Sequence, residues 1–152
     1  MKIFYEQMDC DMVYYCQREV QTMTQTEAVF QYIRQTYGIS PDYPFAPEDT
    51  AAVLRHPANR KWFGIVMQVA PKRLGLVGEA EIPILNVKCD PLLMGSLLLS
   101  EGFLPGYHMN KRHWLTILLD GTVPAQDICG LLDMSYDLTK PKMKKRKKAD
   151  CG

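Results

Sequence analysis

The chain has 152 residues, of which 47% are hydrophobic, 23% charged and 10% aromatic, and its 18 Lys and Arg nearly balance 17 Asp and Glu for a formal charge of +1. A globular chain of this size buries roughly 70% of the surface its unfolded form exposes, so one domain whose core needs no metal or disulfide is expected, and collagen-like, mucin-like and wholly disordered classes are excluded. No apolar run approaches the roughly 18 residues that span a bilayer, because the longest candidate, Leu92 to Leu99, is interrupted by Gly95 and Ser96.

Residues 1–22 precede the first clear periodicity and are assigned to an N-terminal extension. Glu6, Asp9 and Asp11 fall where a secretory signal would need an unbroken apolar stretch, so a cytoplasmic location is expected. Cys10, Cys16, Cys89, Cys129 and Cys151 form an odd set with no C-x-x-C pair. That pattern suits reduced, buried or spectator thiols rather than a metal or redox centre.

Thr24-Gln-Thr-Glu27 matches a capping box, in which the threonine hydroxyl accepts from a first-turn amide and the glutamate reaches back. The helix it opens runs over 25–37, with Val29, Phe30, Ile33 and Tyr37 at near-helical spacing and Gly38 free to take positive φ just past the end. Pro41, Pro44 and Pro47 remove three amide donors and predict an extended surface connection, followed by a short strand from Ala51 to Arg55. Lys61 to Val69 reads KWFGIVMQV, with Phe63, Ile65, Met67 and Val69 on one face, the strongest strand signal in the chain. Glu81 to Lys88 is its hairpin partner, across a loop holding Pro71, Lys72, Arg73, Gly75 and Gly78.

Asp90-Pro91 opens a second helix over 91–101, whose apolar stripe is Leu93, Met94, Leu97 and Leu98 and whose stop is Gly102. A second strand pair is predicted at Gly106 to Met109 and His113 to Leu119, around the basic turn Asn110, Lys111 and Arg112. Asp120-Gly121 closes it, and Ile128, Leu131, Leu132, Ser135 and Tyr136 mark a third helix from Pro124. Hairpins separated by helices predict an α+β two-layer domain over 23–139, an antiparallel sheet with its helices packed on one face.

The near-zero charge conceals an asymmetry. Residues 140–152 contain seven basic residues and one acid, Asp150, a net of +6, which leaves −5 on residues 1–139. KPKMKKRKKADCG has no apolar periodicity and repels itself, so a disordered tail is expected. It acts either as a phosphate-binding arm through Lys144, Lys145, Arg146, Lys147 and Lys148 or simply as a solubilising terminus.

Catalysis has no support in the residues: His56, His108 and His113 lack partners, and there is no G-x-S-x-G elbow, H-E-x-x-H or Walker loop. A non-enzymatic protein without a cofactor is expected. His108 and His113 share a hairpin but have no third metal ligand in register. Glu6, Asp9, Asp11, Glu19 and Glu27 admit two interpretations, a hard-cation site and a solvated acidic face.

The basic residues are more informative. Lys72 with Arg73 and Lys111 with Arg112 fall at the two hairpin turns, and Asn59, Arg60 and Lys61 at a strand start. Two such tips side by side would straddle a duplex and neutralise phosphates, with Tyr107, Asn110 and Trp114 adding stacking and hydrogen bonds. Equally, polar turns keep hairpins soluble, and Trp62 and Trp114 read as core residues.

The segments YGISPDYPF (37–45), RHPANRKWFGIVM (55–67), ILNVKCDP (84–91), PGYHMNKRHW (105–114) and SYDLT (135–139), in this order, resemble the MmcQ/YjbR family of small bacterial proteins. The resemblance runs from Met23 to Thr139. It implies a fold like that of CyaY, the bacterial frataxin, with hairpins in a "double wing" arrangement labelled as DNA-binding. The matching residues are Asn59, Arg60 and Lys61 in HPANRKWF and His108, Asn110, Lys111, Arg112 and Trp114 in YHMNKRHW. By that resemblance the chain is expected to contact duplex DNA phosphates through basic hairpin tips, the tail adding sequence-independent affinity. The alternative is a frataxin-like metal-binding or protein-adaptor domain using the acidic N-terminal residues. DNA is the expected partner, with no membrane and no small-molecule substrate, and a monomer is favoured.

Overall fold

Thr24 and Glu27 satisfy each other's backbone at the start of α1 (Gln25–Tyr37): the Glu27 amide donates to the Thr24 hydroxyl at 3.2 Å, and the Thr24 amide donates to the Glu27 carboxylate at 2.9 Å. Gly38, at φ 67°, ends the helix in the left-handed conformation that its missing Cβ permits. The computed structural model describes residues 23–142, so the proposed N-terminal extension and Lys144 to Lys148 of the tail lie outside the described residues.

Five strands follow among the described residues: β1 (Ala52–Arg55), β2 (Trp62–Val69), β3 (Ile82–Lys88), β4 (Phe103–Pro105) and β5 (Trp114–Leu118). They form one sheet in the order β1-β2-β3-β5-β4, with every neighbouring pair antiparallel. The short α2 (Pro91–Leu97) joins β3 to β4, and α3 (Ala125–Thr139) follows the sheet. This is the expected α+β two-layer arrangement.

On the helical face, Val29, Tyr32 and Ile33 of α1 and Ile128 and Leu132 of α3 bury against Leu54, Phe63, Leu85, Val87, Leu115 and Ile117. Each such side chain contributes about 1.5–3 kcal/mol of apolar burial. Ser135 fixes α3 across two strands, donating to the Phe63 carbonyl at 2.5 Å and accepting from the Lys88 amide at 2.9 Å. Among the described residues the opposite face carries no α-helix, only the short 3-10 turn Pro71–Leu74 of the β2–β3 loop, yet Val53, Ile65, Val69, Ile84 and Leu118 on it are also buried. Loop residues cover them, Met109 over Val53 and Ile65, and Leu74, Leu76 and Tyr107 over Val69, Ile84 and Leu118.

Two predicted elements are corrected. The strand expected at Gly106 to Met109 is a loop, and the partner of β5 is β4. The Gly106 amide donates to the Trp114 carbonyl at 3.0 Å, but the Tyr107 amide then turns onto the Thr116 hydroxyl at 2.8 Å, which ends the ladder. The second helix stops at Leu97 rather than at 101. Gly95 and Ser96 lower its helix propensity, and the amides of Leu99 and Ser100 close tighter three-residue turns on Ser96 and Leu97. Cys89 is a buried free thiol as expected, whereas Cys129 is disulfide-bonded, which corrects the expectation of a reduced thiol there. Among the described residues no helix is long and apolar enough to cross a membrane.

The register decides which loops are neighbours. Arg55 pairs with Trp62 and Lys88 with Trp114, so the β1–β2 loop (56–61) and the β4–β5 loop (106–113) leave the same end of the sheet. Val69 pairs with Ile82, which puts the β2–β3 loop (70–81) at the opposite end. Ser135 sits over Phe63 and Lys88, so α3 delivers its C-terminus to the end that holds loops 56–61 and 106–113.

Candidate nucleic-acid interface

Loop 56–61 is a tight turn closed by its own backbone. The His56 amide donates to the Lys61 carbonyl at 2.7 Å and the Arg60 amide to the His56 carbonyl at 2.9 Å. Asn59 completes it: its side-chain oxygen accepts from the Lys61 amide at 3.1 Å, and its side-chain nitrogen donates to the Thr139 carbonyl at 2.8 Å. Asn59 is therefore committed to holding the loop against the end of α3, while Arg60 and Lys61 are exposed.

His56 lies beneath this turn, 4% exposed, with its ring stacked on Tyr136 at 4.3 Å. Its Nδ1 accepts from the Ala58 amide at 3.3 Å, which assigns the neutral ring's proton to Nε2, a buried atom with no hydrogen-bond partner among the described residues. Burial, and then the nearby Lys140 ammonium, hold the His56 pKa below its ordinary value. Tyr136 also stacks on Tyr37 at 4.0 Å, and the Tyr37 and Tyr32 hydroxyls both donate to the Asp133 carboxylate, Tyr32 at 2.7 Å. Both phenol pKa values are raised, first by burial and then by that carboxylate. These contacts join α1, α3 and the β1–β2 turn into one rigid base.

Loop 106–113 is divided. Its first half folds back over the sheet: Asn86 donates to the Tyr107 carbonyl at 3.0 Å, the Tyr107 amide donates to Thr116, and the Thr116 hydroxyl donates to Asn86 at 2.5 Å. Asn86 and Thr116 are both fully buried, so this closed cycle satisfies polar groups that would otherwise be costly to bury. The second half returns to the sheet end, where Asn110 accepts from the Arg112 amide at 3.0 Å and Lys111 Nζ donates to the Gly106 carbonyl at 3.2 Å. Lys111, Arg112 and His113 are exposed there.

One end of the sheet thus gathers Arg60 and Lys61 from one loop, Lys111 and Arg112 from another, and Lys140 and Lys142 after α3. Lys140 is partly neutralised by Asp137 at 2.7 Å. Lys72 and Arg73 do not join them. The expectation that the Lys72-Arg73 and Lys111-Arg112 tips lie side by side is corrected, because the antiparallel register sends the β2–β3 turn to the far end. Among the acids considered for a cation site, Glu27 caps α1, and Glu6, Asp9, Asp11 and Glu19 lie outside the described residues. Among the described residues no group of three or more His, Cys, Asp or Glu is placed to hold a metal ion.

A second feature was not anticipated from the sequence. The helix-free face carries a groove of about 470 Å³ running along β2, lined by Phe45, Trp62, Met67, Tyr107 and His108, with Arg73 at its far end. Phe45 meets Trp62 edge-to-face at 6.2 Å, and the Arg55 guanidinium lies 5.5 Å from the Trp62 ring while ion-paired to Asp42 at 2.9 Å. Trp62 and Trp114 are only half-buried, so neither is the core residue that composition suggested. The aromatic pair Tyr43 and Phe45 within a proline-rich connection was the available signal, since both are exposed. Arg60 at φ 62° and His108 at φ 57° are the described non-glycine residues in the left-handed region, one in each loop. Such conformations persist where the surroundings over-determine them.

The fold and the cation distribution define a class: a small α+β sheet domain with, among the described residues, one cationic end and one grooved face that no α-helix covers. The sequence model of the YjbR family matches residues 34–138, and the chain belongs to that family. It is 46% identical over 118 residues to the uncharacterized protein YyaQ of Bacillus subtilis, covering 78% of this chain and 100% of that one. To the uncharacterized protein YjbR of Escherichia coli it is 32% identical over 80 residues, covering 51% of this chain and 68% of that one. A crystal structure of a Pseudomonas syringae protein superposes with a TM-score of 0.73 at 35% identity, covering 78% of this chain and 100% of the other. A Deinococcus radiodurans protein does so at 0.61 and 25% identity, covering 82% of this chain and 84% of the other.

Proposed function

We propose that this chain is a non-enzymatic DNA-binding protein that holds duplex phosphates at the cationic end of its sheet. The observation that carries the proposal is the convergence of Arg60, Lys61, Lys111 and Arg112 at one sheet end from two separate loops. β2 and β5 flank β3, so at ordinary strand spacing the loops leave the sheet about 10 Å apart. That separation suits two phosphate rows bordering a groove of B-DNA, whose major groove is about 12 Å wide. In this proposal the two wings implied by the family resemblance correspond to loops 56–61 and 106–113, and the β2–β3 turn, which leaves the opposite end of the sheet, is not one of them. Residues 143–152, with five basic residues, add sequence-independent attraction.

Fluorescence anisotropy of a labelled duplex at several salt concentrations tests this. With roughly five phosphates contacted, log K falls against log salt with a slope of about −4 to −5. Absence of saturable binding at about 50 mM salt would overturn the proposal.

A further inference from the structure

We infer that the groove on the helix-free face is a platform for the unpaired bases of a single DNA strand whose phosphates are held by the flanking cations. This inference rests on the DNA-binding function above and specifies which form of nucleic acid that site prefers.

The cationic turn and the groove are continuous. Trp62, the first residue of β2, lines one end of the groove and directly follows Arg60 and Lys61 of the cationic turn. At the other end of β2 the groove reaches Val69 and Arg73. The eight residues of β2 span roughly 25 Å, so cations stand at both ends of an apolar, aromatic-lined trough several nucleotides long. That alternation matches what single-stranded nucleic acid presents, charge along the backbone and a flat π-face on every base. A duplex hides those faces in its stack. Two phosphate rows fit the sheet end, but only a single strand also fits the trough.

The lining side chains have the required character. Phe45 is 44% exposed and braces Trp62 edge-on, leaving an aromatic pair at the groove mouth. The buried Asn86–Thr116–Tyr107 cycle fixes the backbone at Tyr107, so the opposite wall is already formed. His108 is held at positive φ on that wall, with its ring 4.1 Å from the Tyr107 ring. Two acids also line the groove. Asp49 accepts from the Ala51 amide at 2.9 Å, and Glu81 lies at the far end with Arg73. Arg73, which takes no part in the cationic end, acquires a role as the distal phosphate contact.

The test uses the full chain with fluorescein-labelled oligothymidylate of 20 nucleotides and a mixed-sequence 20-base-pair duplex, titrated by anisotropy at equal salt. The single strand is expected to bind about tenfold more tightly. Trp62→Ala, and independently Phe45→Ala on the exposed rim, weaken single-strand binding about tenfold and leave duplex binding within twofold. Arg73→Ala lowers the salt slope for the single strand by about one and leaves the duplex slope unchanged. Circular dichroism of each variant confirms folding, and Phe45→Ala carries the test if Trp62→Ala does not fold. Equal binding of the two forms, with the aromatic variants weakening neither preferentially, would overturn the inference while leaving the duplex reading intact. Failure of both forms to bind would overturn the DNA-binding function itself.

Discussion

The Asn59 side-chain nitrogen donates to the Thr139 carbonyl at 2.8 Å, across 80 residues of sequence, and so ties the β1–β2 turn to the last residue of α3. Arg60 and Lys61 follow Asn59 in the turn, and Lys140 follows Thr139 directly. A carbonyl at a helix C-terminus has no partner inside its own helix, so the amide of Asn59 satisfies a group that water would otherwise have to reach. The geometry makes Asn59 a positioning residue, where the motif alone suggested a phosphate contact.

Asn59→Ala should therefore separate position from contact. It lowers stability by about 1–3 kcal/mol through the two lost side-chain hydrogen bonds, to Lys61 and Thr139, and leaves the salt slope of duplex binding unchanged. Arg60→Ala, by contrast, should reduce that slope by about one with little effect on stability. Lys72→Ala, at the opposite sheet end, should change neither. Urea unfolding and anisotropy at three salt concentrations read both quantities.

His56 predicts an acid sensitivity. Its folded pKa lies below the ordinary value of about 6.5, because burial and the Lys140 charge disfavour the imidazolium, so the unfolded chain takes up the proton first. The stability contributed by neutral His56 is complete above about pH 6.5 and is lost as pH falls below it towards the folded pKa. His56→Phe keeps a ring for Tyr136 to stack on and removes the titration. The variant's urea midpoint should fall less steeply than the wild type's between pH 7 and 5.

Asp133 accepts from the buried Tyr32 phenol and the half-buried Tyr37 phenol, so its removal costs more than removal of either donor. Asp133→Ala is expected to destabilise by about 3 kcal/mol, and Tyr32→Phe by about 1.5 kcal/mol. Because both phenols bind their protons more tightly folded than unfolded, wild-type stability should also decline above about pH 10, where phenols of the unfolded chain ionise. Chemical unfolding at pH 8 and 10.5 checks the sign.

Gly102 and Gly121 provide a matched pair. Their φ angles are 92° and 93°, but a Cβ on Gly102 would stand 2.5 Å from Val123 Cγ2, whereas one on Gly121 meets nothing within 4 Å. Alanine at either site strains the backbone, by about 1–2 kcal/mol. Gly102→Ala adds overpacking of about 1–3 kcal/mol, so the difference between the two variants' unfolding free energies should lie in that range.

Some elements were legible in the sequence because their determinants are local. Thr24, Glu27 and Gly38 delimit α1 at 25–37, and the Asp90-Pro91 start of α2 follows from capping and proline geometry. The alternation in β2 marked the strand but hid its burial on both faces, since Ile65 and Val66, on opposite sides, are 3% and 4% exposed. The Gly106 to Met109 stretch failed as a strand prediction because Asn86 and Thr116, at 21 and 9 residues' remove from Tyr107, capture its backbone. No window along the chain contains that competition.

The sequence by itself determined the α+β class, the helix caps, the basic turns and the motifs that mark the family, because capping, periodicity and turn chemistry act over a few residues. Tertiary structure alone decided which basic turns are neighbours. Two of the three reach one end of the sheet and the third the other, since strand direction and order are set by pairings between residues far apart in the chain. The same long-range pairings laid Tyr107 and His108 over the helix-free face and so made a groove from Phe45, Trp62 and Met67, residues that no sequence pattern joins.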